Sequence, residues 1–108
     1  MIDPNQPIEA LAERASEVAE VLKMLANEQR LLLLCRLRQG ECSVSELIDI
    51  CGLSQSSVSQ HLAKLRLSGI VSTRRDGTTI HYQLADGNVE TLIDVLCDRF
   101  GPQKVSLQ

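Results

Sequence analysis

The apolar pattern of this chain is helical up to Gly69, gives way to β-branched runs from Ile70 to Leu84, and is helical again after Gly87. That double change of period limits the possible folds more than any other feature. Ile70 to Arg74 and Thr78 to Leu84 flank Arg75-Asp76-Gly77, where Asp-Gly signals a tight turn, so a two-stranded hairpin is expected. Two short helical segments stand directly before it. Ser43 with Glu46 three residues on makes a capping box, and Cys42 and Leu47 sit where a hydrophobic staple would close. A helix from Val44 to Cys51 should therefore end on a left-handed Gly52. Ser54 caps the next helix, which runs to about Ser68 with Val58, Leu62 and Leu65 on one face and stops at Gly69. Two short helices joined by a Gly-containing turn and followed by a hairpin spell a winged helix-turn-helix.

The remaining segments are helical. From Ile8 to Leu25 apolar residues recur at three- and four-residue steps and predict one amphipathic helix. Glu28 to Arg38 predicts another, ended by Gly40, whose run from Leu31 to Cys35 is apolar nearly all round and reads as the buried centre. A last helix, about Gly87 to Phe100, carries Val89, Leu92, Ile93, Leu96 and Phe100 as a stripe, with Gly101-Pro102 ending it. Hydrophobic residues make up 44% of the chain and aromatic ones 2%, so the core must be aliphatic and packed between helices. The expectation is a mainly α fold with a small β-hairpin, a single domain over 1–108 with an ordered core of about 7–101 and disordered first and last six or so residues. The stripes on the two terminal helices need a partner.

The net charge of −3 argues at first against a nucleic-acid partner, but its distribution reverses the argument. Residues 1–20 carry −4, 21–51 balance, 52–83 carry +3 and 84–108 carry −2. The excess comes from Lys64, Arg66, Arg74 and Arg75 against Asp76, where a phosphate backbone would be met. No apolar run is long enough to span a bilayer, and Met1 to Pro7 lacks the basic-then-apolar pattern of a secretory signal, so a cytoplasmic protein without a membrane partner is expected. There the four cysteines should be free thiols, metal ligands or redox sensors rather than structural disulfides. No Gly-rich phosphate loop, nucleophile motif or paired catalytic carboxylates support an enzyme.

Steps of 100° from Gln55 place Val58, Leu62 and Leu65 on one side and Ser56, Ser59, Gln60 and Ala63 on the other. The outward face is short, polar and nearly uncharged, whereas a merely solvated helix usually carries Glu and Lys there. Such a face can enter a major groove, where Gln pairs with adenine edges and Ser with either base, while Ser54 and the helix N-terminus, Lys64, Arg74 and Arg75 meet phosphate.

The segment Leu53-Ser54-Gln55-Ser56-Ser57-Val58-Ser59-Gln60-His61-Leu62-Ala63-Lys64-Leu65, then Ser68-Gly69-Ile70-Val71 and Arg74-Arg75-Asp76-Gly77-Thr78-Thr79-Ile80-His81-Tyr82, resembles the ArsR/SmtB family of bacterial repressors. The likeness begins in the first helix, passes through Leu25-Ala26-Asn27-Glu28-Gln29-Arg30-Leu31 and reaches about Gly101. It implies a homodimer, dimerising through first and last helices, that presents two reading helices to successive major grooves of double-stranded operator DNA with an imperfect palindrome. No cofactor is implied.

Many members of that family release DNA on binding a metal. The thiolate site at the start of the third helix needs Cys-Val-Cys, where this chain has Ser43-Val44-Ser45, and hydroxyls are poor ligands for soft metals. The zinc-type site on the last helix keeps Asp86 but has Asn88, Arg99 and Pro102 at its other positions, so no metal site is expected. A sulfide-responsive branch of the family pairs a cysteine on the second helix with one near the end of the last. Cys35 matches the first; the second falls on Gly101, with Cys97 one turn earlier. Cys35 and Cys97 are therefore either a displaced dithiol switch or two small core residues. The alternatives to a thiol-responsive repressor are a cysteine-independent repressor, as in a rhizobial branch with glycine at this position, and a winged-helix interaction module that binds no operator. Of the rest, Cys42 could have a lowered pKa before a helix N-terminus or serve only as the staple, and Cys51 reads as packing. His61 suits a hydrogen-bonded structural role, and His81 an exposed one.

Overall fold

The computed structural model describes residues 6–101. In chain order the elements are α1 Gln6–Ala12, α2 Ala15–Leu25, α3 Glu28–Leu37, β1 Cys42–Ser43, α4 Val44–Cys51, α5 Gln55–Leu67, β2 Val71–Asp76, β3 Thr79–Leu84 and α6 Gly87–Phe100. The helix-turn-helix is α4 and α5, and the wing is β2 and β3. The termini expected to be disordered fall largely on residues 1–5 and 102–108, and these, with Pro102, lie outside the described residues.

Local signals set the boundaries of the central elements. Ser43 accepts from the Glu46 amide at 3.2 Å while the Glu46 carboxylate takes the Ser43 amide at 2.9 Å, which closes the capping box. Gly52 ends α4 at φ 69, ψ 25, a conformation that costs an L side chain energy. Asn27 caps α3 through the Arg30 amide, and Asp86 caps α6 through the amides of Asn88 and Val89. The core is aliphatic, as composition requires: Leu33, Leu34, Leu47, Val58, Leu62, Leu65, Val89 and Ile93 are fully enclosed where α3, α4, α5 and α6 meet. Arg38, just past α3, ties that helix to α6 by reaching Asp94 and Asp98 at 3.4 and 3.0 Å.

Four details differ from the sequence expectation. The first helix is two helices: Arg14 turns its amide to Leu11 at 2.9 Å, and its guanidinium grips Glu17 with two 3.0 Å bonds, so α2 starts afresh. No residue of α1 is buried, so packing among the described residues does little to hold it in line with α2. Leu32, within the run read as buried all round, is 48% exposed, because only one side of α3 meets the core. The sheet has a third strand beside the wing, β1, which pairs Cys42 with Tyr82 and Ser43 with His81 in the order β1-β3-β2. The hairpin turn lies one residue later than expected. Asp76 still pairs with Thr79, leaving Gly77 and Thr78 as the loop, and Gly77 alone has positive φ, as a type II′ turn requires.

Candidate nucleic-acid interface

The apolar side of α5 is closed: Val58, Leu62 and Leu65 expose nothing. Its opposite side, Gln55, Ser56, Ser59, Gln60, Ala63 and Lys64, is exposed throughout. Ser54 is already committed, since its Oγ accepts from the Ser57 amide at 3.1 Å and so caps the helix. Gln55, Ser59, Gln60 and Lys64 make no side-chain hydrogen bond to any described residue, which leaves them available to a partner. His61 lies at the edge of the core-facing side, as its position on the helix suggested. Its Nε2 meets Gln29 Oε1 on α3 at 2.9 Å, which ties the reading helix to the core. Its Nδ1 is buried without a partner among the described residues, and burial first, then Arg30 and Lys64, pushes its pKa down.

The sequence treated the wing cations as one group; the sheet separates them. Residues directly opposite in an antiparallel ladder share a face, and neighbours along a strand alternate. Val71 pairs with Leu84, Thr73 with Tyr82 and Arg75 with Ile80 on the inner face, the one that holds buried Val71 and Cys42. Arg74, paired with His81, and Asp76 take the outer face. There Arg74 grips Glu41, with Nε 3.1 and 3.2 Å from the two carboxylate oxygens and Nη2 closer still. That pair holds the Glu41 carboxyl below its ordinary pKa and raises that of Arg74. His81, expected to be simply exposed, is half-buried beside them. Among the described residues, Lys64, Arg66 and Arg75 make no ion pair. Arg66 was absent from the predicted contacts, although it belongs to the same basic excess.

Cys35 and Cys97 form a disulfide with a Cα–Cα distance of 6.4 Å, the pairing that the displaced dithiol switch would require. The reason lies in the packing of α3 against α6, which brings residues 62 apart in sequence face to face. Gly101 could not host the thiol, because a Cβ there would come within 2.5 Å of the Cys97 carbonyl oxygen. The disulfide borders a cavity of about 280 Å³ lined by Leu31, Leu96, Phe100 and Gly101. Cys42 and Cys51 are free, and burial pushes both thiols up, so Cys42 is not the activated thiol its helix N-terminus allowed. Asp86, the one residue left from the zinc-type set, spends its carboxylate on the α6 cap, and no cluster of three His, Cys, Asp or Glu side chains suits a metal among the described residues. No helix among them is long and apolar enough to cross a membrane.

Residues 27–73 match the family described as "Bacterial regulatory protein, arsR family". The chain is 47% identical over 90 residues to the biofilm growth-associated repressor of Agrobacterium fabrum, covering 83% of this chain and 77% of that one. It is 40% identical to the transcriptional activator HlyU of Vibrio cholerae, over 82% of each chain. The crystal structure of the transcriptional repressor BigR from Xylella fastidiosa superposes with a TM-score of 0.81 at 43% identity, covering 88% of this chain and 97% of that one.

Proposed function

The chain belongs to the arsR family of bacterial regulatory proteins, and from that premise we propose that it is a cytoplasmic homodimeric repressor that reads an imperfect palindrome in operator DNA. As a member it is a winged helix-turn-helix transcriptional regulator that binds DNA, not an enzyme. The observation that carries the proposal is the contrast between the two sides of α5, one fully enclosed and the other exposed, with Gln55, Ser59 and Gln60 unpartnered among the described residues. Gln55, Ser56, Ser59 and Gln60 read base edges. Ser54 sets the helix N-terminus toward phosphate, and Lys64 and Arg75 meet the backbone, whereas Arg74, expected there from the sequence, is engaged by Glu41 and is left out of the contact set. The dimer is supported by the exposed apolar side chains Leu22, Leu92, Val95 and Phe100. Titrating the protein onto its own promoter and onto random duplex across a salt series tests the reading. Preference for the promoter with a steep salt slope is expected; equal binding to both, or none, leaves a winged-helix interaction module instead.

The Cys35–Cys97 bond favours a second element of this reading, a thiol-responsive repressor whose bonded form releases DNA. Forming the bond removes two electrons and two protons from the thiols. A polysulfide can accept them, breaking one S–S bond and leaving as two hydrosulfide-terminated fragments.

A further inference from the structure

A groove of about 620 Å³ runs between α5 and the wing, lined by Ala63, Arg66, Leu67 and Tyr82. Three observations bear on what occupies it. First, the sheet register sorts charge by face. Tyr82 and, one same-face step nearer the wing tip, Ile80 and Arg75 share the inner face, whereas Asp76 and the Glu41-bound Arg74 are on the outer one. The groove side thus carries cations, and none of its lining residues is acidic. Second, Arg66 and Arg75 are exposed and make no ion pair with any described residue, while Arg14, Arg38 and Arg74 are each held by carboxylates. Third, Leu67 is 90% exposed, an apolar side chain at the groove's edge that no described residue covers. Phosphate oxygens want cations and hydroxyl donors, and the deoxyribose between them offers an apolar face. A sugar-phosphate strand matches both halves of this lining, and the groove continues the exposed side of α5 through Ala63.

We infer that this groove seats one strand of the operator backbone, with Arg66, Arg75 and the Tyr82 hydroxyl on its phosphates and Leu67 against its sugars, and that Arg74 stays outside it. The assignment rests on the DNA-binding reading above and adds two contacts, Arg66 and Tyr82, to it. It also separates two adjacent arginines that their sequence makes equivalent.

The test is the slope of log affinity against log salt for the full-length protein on its own promoter fragment. Each phosphate contact contributes about 0.9 to that slope. Arg66→Gln and Arg75→Gln should each make it shallower by about 0.9, Arg74→Gln should leave it unchanged, and Tyr82→Phe should weaken binding a few-fold at constant slope. These positions are solvent-facing or keep their packing, so circular dichroism should show all four variants folded. A single methylphosphonate placed along the strand should, at one position, weaken the wild type without weakening Arg66→Gln further. Loss of slope in Arg74→Gln, or an unchanged slope in Arg66→Gln and Arg75→Gln, overturns the groove assignment. A wild type without salt-dependent binding instead removes the DNA reading on which it stands.

Discussion

Helices α5 and α6 are 13 and 14 residues long and each carries an apolar stripe, yet one chain completes only the first. Val58, Leu62 and Leu65 on α5 are wholly enclosed, and the other side of that helix is polar. On α6, Val89 and Ile93 are enclosed, but Leu92 is 40%, Val95 52% and Phe100 78% exposed, and Leu22 of α2 lies open beside them. A polar face with no partner costs little in water and is ready for one that is itself polar. An apolar face without a partner is penalised by about 25 cal/mol for every Å² left wet. In the proposed reading the two helices therefore take different company: nucleic acid for α5, a second copy of the same apolar surface for α6.

Breaking the second half of that contrast should have the largest effect. Leu92→Asp places a carboxylate where the partner's side chains would close over it, at several kcal/mol if it stays charged and unpaired, so dimerisation should weaken by about a hundredfold or more. The side chain is partly exposed within one chain, so monomer unfolding should change little. Leu96→Asp should act in the same direction but with some loss of fold, since Leu96 packs against the core. Sedimentation velocity and operator titration should fall together. A stable monomer that still binds its operator at full affinity would remove the dimer from the account.

The thiol pair joins the core-facing helix α3 to the unfinished one, so its state should be felt where α6 meets the second copy. If the bond fits only one arrangement of α6, a coupling of about 3 kcal/mol would weaken operator binding roughly 150-fold. Polysulfide treatment followed by mass spectrometry should show a link from Cys35 to Cys97 within one chain, and Cys35→Ser should stay on DNA under the same treatment. Retained affinity in the treated wild type would make both cysteines packing residues and favour a cysteine-independent repressor.

The elements of the α5 half were legible because their causes are local. Ser43, Glu46, Gly52 and Ser54 each act on backbone within four residues, and the α4 boundaries follow from them. The exposed side of α5 was equally readable, since helical geometry converts spacing into direction. What escaped depends on distant chain. β1 is two residues long and exists only because Tyr82 and His81 come alongside. The break at Arg14 reflects an α1 that no described residue buries, and no periodicity reports what is missing from the other side of a stripe. The division between Arg74 and Arg75 needed the position of Glu41 and the register of the sheet. The Cys35–Cys97 pair was named from the sequence, but the choice between a bond and mere packing waited on how closely α3 approaches α6.

The first half of the contrast predicts smaller, sequence-dependent losses. Gln55→Ala and Gln60→Ala should each cost about 1 to 3 kcal/mol on the preferred site if the amide makes a bidentate contact, and should relax preference at one base position per half-site. Binding to random duplex should hardly change, because neither side chain carries charge. Fluorescence anisotropy on both duplexes separates these outcomes, and equal losses on the two would mean that other residues do the reading.

The smallest effect concerns how α5 is seated rather than what it reads. His61 joins α5 to Gln29 through one ring nitrogen, while the other is buried without a partner. Burial and the nearby Arg30 and Lys64 lower its folded pKa below the ordinary 6.5. A proton is thus bound more readily by the unfolded chain, so the stability His61 contributes is fully present above about pH 6.5 and is lost as pH falls through the folded value. The depressed carboxylates of Glu17, Glu41 and Glu46 act in the same direction, but only below their ordinary pKa of 4.5, which leaves the interval from pH 6.5 to about 5 to the histidine. Urea unfolding across that interval should show wild-type stability declining with acidity. His61→Asn, which has an amide that cannot titrate, should give a lower but flatter profile. Parallel profiles for the two proteins would place the proton uptake on another group and leave the His61–Gln29 bond as a pH-independent tie between the reading helix and the core.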